Sequence, residues 1–396
     1  LFIFPDLILK LKYKEELHNI EGRKSTCALT NDYLDKRIGF FYFLSDIWIS
    51  RFINIILILY FYKFGAYMNK AIKFKALEII EKKGKFFREI IEKKIGDLPD
   101  GEVLIRVKYS SLNYKDALSA SGNRGVTRRY PHTPGIDAAG IVEESSNIEF
   151  KPGGEVIIMR YDLGMNTPGG FGQFISVPSE WIIKVPAGIS LKESMVFGTA
   201  GFTAGFALDK LEAAGLTQNN GELLVTGATG GVGSFAVAIG AKAGFNITAA
   251  TGKPGKIDYL NSLGANKILK REEVDDKSGR ALLPVRWAGV IDTVGGNILS
   301  TAIKSTKHNC SVVACGLTQS PELNLTAYPF ILRGVNLLGV KFTPELRTKI
   351  WNKLASTWKP GCLDKIYSEC RLEELNEKFD LILDGKITGR IVVNLE

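Results

Sequence analysis

The sequence predicts an α/β protein in which a β-rich domain leads into a parallel-sheet unit of repeated strand–helix pairs. Three observations point to it. From Glu222 onward, short apolar runs of strand length recur, separated by stretches long enough for helices. Between Val103 and Val177 the pattern instead alternates and is broken by turn residues. The chain, 396 residues with 45% apolar and 23% charged, is long enough to give each domain its own core. With 41 Gly beside 14 Pro and no low-complexity repeat, collagen-like, coiled-coil and disordered chains are excluded.

Residues 1–67 do not read like the remainder. Ile38 to Tyr62 is strongly apolar and aromatic, yet its uninterrupted part is only Ile55 to Tyr62. A membrane-spanning helix needs ~20 apolar residues. Lengthening the run takes in Asn54, Arg51 and Asp46, and a central charge costs about 2.5–3.5 kcal/mol on insertion. No small-residue cleavage site follows, as a signal peptide would require. The chain opens with Leu, whereas Met68 begins a segment that reads as an ordinary domain start. The expectation is that residues 1–67 are an upstream extension foreign to the working protein; a membrane anchor and a docked helical extension are the alternatives. From Met68 onward no membrane association is expected.

The net charge is +9, from 51 Lys and Arg against 42 Asp and Glu. From Met68 onward it is 42 minus 35, or +7. The basic residues are scattered, the pattern of a solvated surface, so no nucleic-acid partner is expected while an anionic small molecule remains compatible. Cys27, Cys310, Cys315, Cys362 and Cys370 include no C-x-x-C pair. That argues against a zinc site or a disulfide framework, and for a reducing, cytoplasmic setting.

In the β-rich domain Val103, Ile105, Val107 and Tyr109 share one face of a strand. The chain then runs Ser110-Ser-Leu-Asn-Tyr-Lys-Asp-Ala-Leu118, so Asn113, Tyr114, Lys115 and Asp116 cluster where a strand gives way to a helix. Composition alone favours a helix cap for Asn113 or Asp116. A turn over Tyr130 to Asp137 precedes further strands at Ala138–Glu143, Glu155–Met159 and Phe174–Val177.

The parallel unit begins with a strand at Glu222–Thr226, followed at once by Gly227-Ala-Thr-Gly-Gly-Val-Gly233. A small apolar helix over Ser234–Ala243 stops at Gly244, and a second strand covers Asn246–Ala250. Strand, glycine turn, helix and strand within about 30 residues is the context of a dinucleotide-binding turn. Gly227 permits the tight turn, Gly230 lets backbone approach a pyrophosphate, and Gly233 permits close helix–strand packing. Backbone N–H groups at the helix start, around Gly231 and Val232, then face the phosphates.

The end of the second strand selects the dinucleotide. A ribose 2′-hydroxyl calls for Asp or Glu there, a 2′-phosphate for cations. Here Thr251-Gly252-Lys253-Pro-Gly-Lys256 stands, with no carboxylate before Asp258. Thr251 can hydrogen-bond the phosphate and Lys253 can pair with it, with Arg271 as a third ligand; NADPH is favoured over NADH. Strands at Trp287–Thr293, Cys310–Cys315 and Leu337–Val340 complete the sheet. Cys310 and Cys315 read as small residues of one strand, not as a metal pair.

Together these strings resemble the medium-chain dehydrogenase/reductase superfamily, and within it the zinc-free acrylyl-CoA reductases, the YhdH or AcuI type of quinone oxidoreductase. The resemblance rests on SSLNYKDAL (110–118), PGIDAAG (134–140), GTAGFTA (198–204), TGATGGVGS (226–234), YLNSLGA (259–265), WAGVIDTVG (287–295), ACGL (314–317), PFILRGV (329–335) and the closing G-x-x-x-G-R ending at Arg390. It covers the chain from Met68 to the end. It implies a Rossmann domain inserted in a GroES-like catalytic domain: 68–191 the first part, 192–328 the nucleotide-binding domain, 329–396 the return. It also implies NADPH, no metal, and a homodimer.

The resemblance moves Asn113, Tyr114 and Asp116 from caps to the active site. It carries over as cofactor contacts Tyr114, Gly230, Gly231, Val232, Gly233, Thr251, Gly252, Lys253, Arg271, Leu317 and Ile331. Two departures stand out. The family usually has Ser-Gly-Arg where this chain has Thr251-Gly252-Lys253, which keeps the charge but not the bidentate fork. It commonly continues Asp-Ser where this chain has Lys341-Phe342, in a shortened segment.

The expected activity is NADPH-dependent reduction of a 2-enoyl thioester, acrylyl-CoA to propionyl-CoA, with hydride passing to the β-carbon. Asn113 and Tyr114, with Arg390, are expected to hold the enolate oxygen, while Asp116 orients the donor. Arg124, Arg128 and Arg129 are expected to meet the CoA phosphates. An NADPH:quinone oxidoreductase is the alternative. A non-enzymatic NADPH-binding regulatory or RNA-binding protein is a third, opposed by the intact N-Y-K-D string.

Overall fold

The computed structural model describes residues 70–341 and 343–396. The expectations for residues 1–67 lie outside the described residues. The described chain opens with an antiparallel hairpin, β1 (Lys73–Lys82) and β2 (Lys85–Lys94). Its two-residue loop holds Lys83 at φ 52° and Gly84 at φ 74°, the left-handed pair that a tight hairpin with right-twisted strands requires. β1 buries Phe74, Ala76, Leu77 and Ile79, while β2 is largely exposed.

The first domain then builds β3 (Val103–Ser111), helix α1 (Tyr114–Ala120), β4 (Asp137–Ser145), β5 (Glu155–Met159), β6 (Phe174–Val177) and β7 (Ile182–Lys184). β3 and β4 pair antiparallel, β5 joins the far side of β4, and β6 also pairs with β3. Val103, Ile105 and Val107 are all buried, as their alternation predicts.

Helix α2 (Leu191–Ala213) leaves this domain behind a capping box, in which Ser190 Oγ accepts the Glu193 N–H and the Glu193 carboxylate accepts the Ser190 N–H. It is buried nearly all round, as a helix set between two layers must be. Met195, Phe197, Phe202 and Phe206 belong to one cluster with Ile157 of the first domain and Phe235 of the second. At Gly198 the helix is broken by a non-helical conformation, φ 46° and ψ −155°.

The second domain is a six-stranded sheet: β8 (Glu222–Val225), β9 (Asn246–Thr251), β10 (Lys267–Lys270), β11 (Trp287–Asp292), β12 (Thr306–Ala314) and β13 (Asn336–Gly339). The spatial order is β10-β9-β8-β11-β12-β13, every pair parallel. The strand order reverses between β8 and β11, and this switch point is where an open α/β sheet leaves a crevice beyond its strand ends. Helices α3 (Gly231–Lys242), α4 (Ile257–Ser262), α5 (Gly296–Ser305) and α6 (Tyr328–Arg333) connect the strands. Because β13 pairs with β12, the sheet runs beyond residue 328, and we place the return to the first domain after Gly339.

Helices α7 (Pro344–Leu354) and α8 (Leu375–Leu383) flank the last two strands, β14 (Tyr367–Arg371) and β15 (Arg390–Asn394). β15 runs antiparallel to β3, so the chain end completes the first domain's sheet. The architecture is thus the expected one, a nucleotide-binding parallel sheet inserted in a β-rich domain. Among the described residues no helix is long and apolar enough to cross a membrane.

Candidate active site

The N-Y-K-D string sits where β3 ends and α1 begins. Asn113 is the residue before the helix, and its backbone N–H donates to Asp116 Oδ2 at 2.7 Å. The cap reading and the site reading therefore describe the same residues. Asp116 is wholly buried, and its Oδ1 accepts the N–H groups of Ile136 (2.9 Å) and Gly135 (3.2 Å). Burial, and next the Asp137 carboxylate, push its acid up to about 7 against these donors and Arg390.

Asp137, at the first position of β4, is the hub. Its Oδ2 accepts from Ser111 Oγ at 2.6 Å, Asn113 Nδ2 at 2.8 Å and the Thr199 N–H at 2.8 Å, and its Oδ1 from Thr199 Oγ1 at 2.6 Å. Arg390, the first residue of β15, lies beneath. Its Nη1 donates to Leu112 O (3.0 Å) and Asn113 Oδ1 (3.1 Å), its Nη2 to Ser111 Oγ (2.7 Å), and Nη2 stands 3.7 Å from Asp137 Oδ2. Burial holds the guanidinium below its ordinary pKa, opposed by the two carboxylates.

These bonds correct one expectation. Asn113 and Arg390 are expected to hold a substrate oxyanion. Both amide protons of Asn113 are already committed, one to Asp137 and one to Ser111 O at 3.1 Å. The terminal nitrogens of Arg390 are committed to Ser111, Leu112 and Asn113, and its Nε is buried without a partner among the described residues. The two side chains are a frame. Tyr114 differs: it is 46% exposed, and among the described residues no hydrogen bond engages its hydroxyl.

The same arginine reaches the glycine turn. A Cβ on Gly231 would lie 3.1 Å from Arg390 Cδ, and the preceding Gly389 N–H donates to Thr229 O at 3.0 Å. Gly227 is left-handed at φ 58°, and a Cβ on Gly233 would collide with the Gly227 carbonyl oxygen. α3 starts at Gly231, inside the turn and earlier than the expected Ser234, so backbone N–H groups line its opening. Asp292, at the end of β11, pins the turn by accepting from Thr226 Oγ1 at 2.6 Å and the Gly295 N–H at 2.8 Å.

At the end of β9 the predicted phosphate ligands gather. Thr251 Oγ1 meets Thr229 Oγ1 and the Lys253 N–H, both at 3.1 Å. The Arg271 guanidinium lies over Gly252, whose Cβ would stand 2.5 Å from Nη2. Gly227, Ala250, Thr251, Gly252, Arg271 and Ile298 line a slot beside the turn. These residues fit an NADP-type dinucleotide: an open backbone cradle for the pyrophosphate, with a hydroxyl and cations beside it for a ribose phosphate. Lys253 Nζ also donates to Ile387 O at 2.6 Å, tying the cofactor loop to the returning chain.

Leu317 and Ile331 are exposed, at 62% and 75%. Leu317 lies close to Gly295, whereas Ile331 sits on α6, which Arg333 ties to Lys304 O and Leu283 O at 2.7 Å each. Arg124 bonds Glu81 at 2.6 Å and Arg128 O at 2.8 Å and packs over Phe86 and Tyr130, a structural engagement. Arg128 and Arg129 are exposed. Ser111, Asp137 and Thr199 join the site without a motif signal of their own, although all three lie within the strings that carry the family resemblance.

Comparison with known proteins matches residues 99–187 to the alcohol dehydrogenase GroES-like domain and residues 231–356 to the zinc-binding dehydrogenase family. The Bacillus subtilis protein YhfP, named among the quinone oxidoreductases, is 43% identical over 303 residues, 76% of this chain and 92% of its own length. The acrylyl-CoA reductase AcuI of Ruegeria pomeroyi is 41% identical over 318 residues, 80% of this chain and 96% of its own length. The solved yhdH oxidoreductase of Salmonella enterica, in complex with NADP, matches with a TM-score of 0.79 at 38% identity, over 81% of this chain and all of that one. The solved B. subtilis yhfP, with NAD bound, matches with a TM-score of 0.80 at 41% identity, over 82% of this chain and all of that one. One family description names zinc. Among the described residues no group of three or more His, Cys, Asp or Glu is placed to hold a metal, and Asp116 and Asp137 are taken up by the bonds above. The residues present do not fit that ion.

Proposed function

The chain belongs to the medium-chain dehydrogenase/reductase superfamily and is an oxidoreductase, and from that premise we propose that it reduces the carbon–carbon double bond of a 2-enoyl thioester, acrylyl-CoA to propionyl-CoA, with NADPH. The observation that carries this reading is the Arg390 bridge, which sets the glycine turn against the start of α1, where Tyr114 keeps a free hydroxyl. Bound NADPH supplies the hydride for the β-carbon. The N–H groups from Gly230 to Gly233 hold its pyrophosphate, and Thr251, Lys253 and Arg271 hold its 2′-phosphate.

Charge then develops on the thioester oxygen. Tyr114 is the donor available to it, and one such donor is worth roughly 10²–10³ in rate. Asn113, Asp116, Asp137 and Arg390 position it by fixing the first turn of α1. Tyr114 or a water bound to it delivers the proton to the α-carbon.

A quinone acceptor is the second reading, favoured by the name of YhfP. Comparing NADPH oxidation by the purified protein with acrylyl-CoA, longer enoyl thioesters and quinones tests both. Turnover with quinones alone moves the assignment to the second reading.

We also propose a homodimer through the free edge of β13. Among the described residues that strand pairs on one side only, with β12, and Leu337, Tyr328, Ile331 and Leu332 expose apolar surface beside it. The free thiols of Cys310, Cys315, Cys362 and Cys370 support a reducing compartment such as the cytoplasm.

A further inference from the structure

Helix α5 has two working faces. Ile298 points into the cofactor slot. Asn297, Thr301 and Lys304, spaced four and three apart, share the other face. There Asn297 and Lys304 help to enclose a separate cavity of about 410 Å³, completed by Arg280, Gln319, Asn324 and Thr326. None of these residues lines the cofactor slot, and the volume lies in the range of small-molecule sites.

The charges on its wall are unevenly matched. Asp275 is engaged, with Oδ1 accepting from Asn297 Nδ2 at 2.6 Å and Oδ2 standing 3.4 Å from Lys277 Nζ. The Asp276 carboxylate accepts from the Ser278 N–H at 3.3 Å and hydroxyl at 2.9 Å. Lys304 is only 8% exposed, yet its ammonium has no hydrogen-bond or ion-pair partner among the described residues. The Arg280 guanidinium has none either. The Lys304 stem is packed away while its ammonium opens on the cavity, where a bound anion can supply the counter-charge it lacks. The side chains of Gln319, Asn324 and Thr326, likewise unengaged among the described residues, add hydrogen-bond donors to the lining.

We propose that this cavity is a second binding site, for a small phosphorylated anion, with Lys304 and Arg280 as its counter-charges. The site is independent of the hydride-transfer chemistry and of the acceptor. Calorimetric titration of the full chain with inorganic pyrophosphate, in saturating NADPH so that the cofactor's phosphate positions are filled, tests it. The expected result is saturable binding of one equivalent, weakened about ten-fold or more in Lys304→Gln and recovered in Lys304→Arg. Arg280→Gln, at an exposed position, is expected to weaken binding about three-fold or more, and serves if Lys304→Gln does not fold. Adenosine 3′,5′-bisphosphate that displaces pyrophosphate assigns the phosphate to a nucleotide; failure to displace it assigns the free anion. Absence of saturable binding, or binding unchanged in the folded variants, overturns the proposal.

Discussion

Gly198 and Asp137 approach so closely that a Cβ on Gly198 would stand 2.6 Å from Asp137 Oδ2. The same Cβ would lie 2.6 Å from Ser111 Oγ and 2.8 Å from Arg390 Nη2. The break in α2 is thus the means by which the helix admits the Asp137–Ser111–Arg390 cluster. Gly198→Ala is expected to cost about 1–3 kcal/mol of stability through overpacking and a left-handed alanine. Thermal unfolding and turnover check it, with turnover expected to fall further than the Tm change alone explains.

Asp116 ties the stability of the fold to pH. Its acid lies at about 7 in the folded protein, above its ordinary 3.8, so between those values the native state keeps a proton that the unfolded chain releases. The stabilisation from this group is complete below about 4 and is lost as pH rises through about 7. Wild type should therefore lose stability relative to Asp116→Asn as pH rises across that window, and run parallel to it above. Urea midpoints at several pH values for the two proteins measure the difference.

Arg271 is the cleanest probe of cofactor choice, because Lys253 also bonds Ile387 O and its loss would loosen the cleft as well. Arg271→Ala should raise KM for NADPH about 10- to 100-fold while changing KM for NADH only about two-fold. The gap should narrow at high salt. Equal losses for both cofactors would contradict the 2′-phosphate assignment.

Tyr114→Phe should lower kcat roughly 10²- to 10³-fold, with KM for NADPH and Tm little changed, since no group among the described residues bonds the hydroxyl. Steady-state kinetics and a melting curve decide. A comparable loss in KM would mark Tyr114 as a binding residue instead.

Much of this arrangement was legible in residue order. The parallel half announces itself because β8, β9 and β11 are short apolar runs, each followed by glycine or threonine. The hairpin β1–β2 is not legible in the sequence because β2 buries little of its surface and leaves no clean alternation. α2 was legible only as a string of residues, since Gly198, Gly201 and Gly205 weaken its helical signal; tertiary contact with Asp137 explains the first of them. The division of labour at the site was the least accessible. Ser111, Asp137, Thr199 and Arg390 come from β3, β4, α2 and β15, and only the folded chain shows that Ser111 and Asp137 take the amide protons of Asn113 while Arg390 donates to its Oδ1. The position of Ile331 on an exposed helix was likewise invisible to a motif.

The account's central claim is that hydride passes from the cofactor to the β-carbon of an enoyl thioester at a site framed by Arg390 and Asp137. Its most direct test is turnover of acrylyl-CoA with NADPH deuterated at the transferred position, followed by mass spectrometry of the acyl product. The account predicts propionyl-CoA carrying one deuterium at the β-carbon, with solvent hydrogen at the α-carbon. Unlabelled product, label at the α-carbon, or no consumption of acrylyl-CoA while quinones are reduced would contradict it.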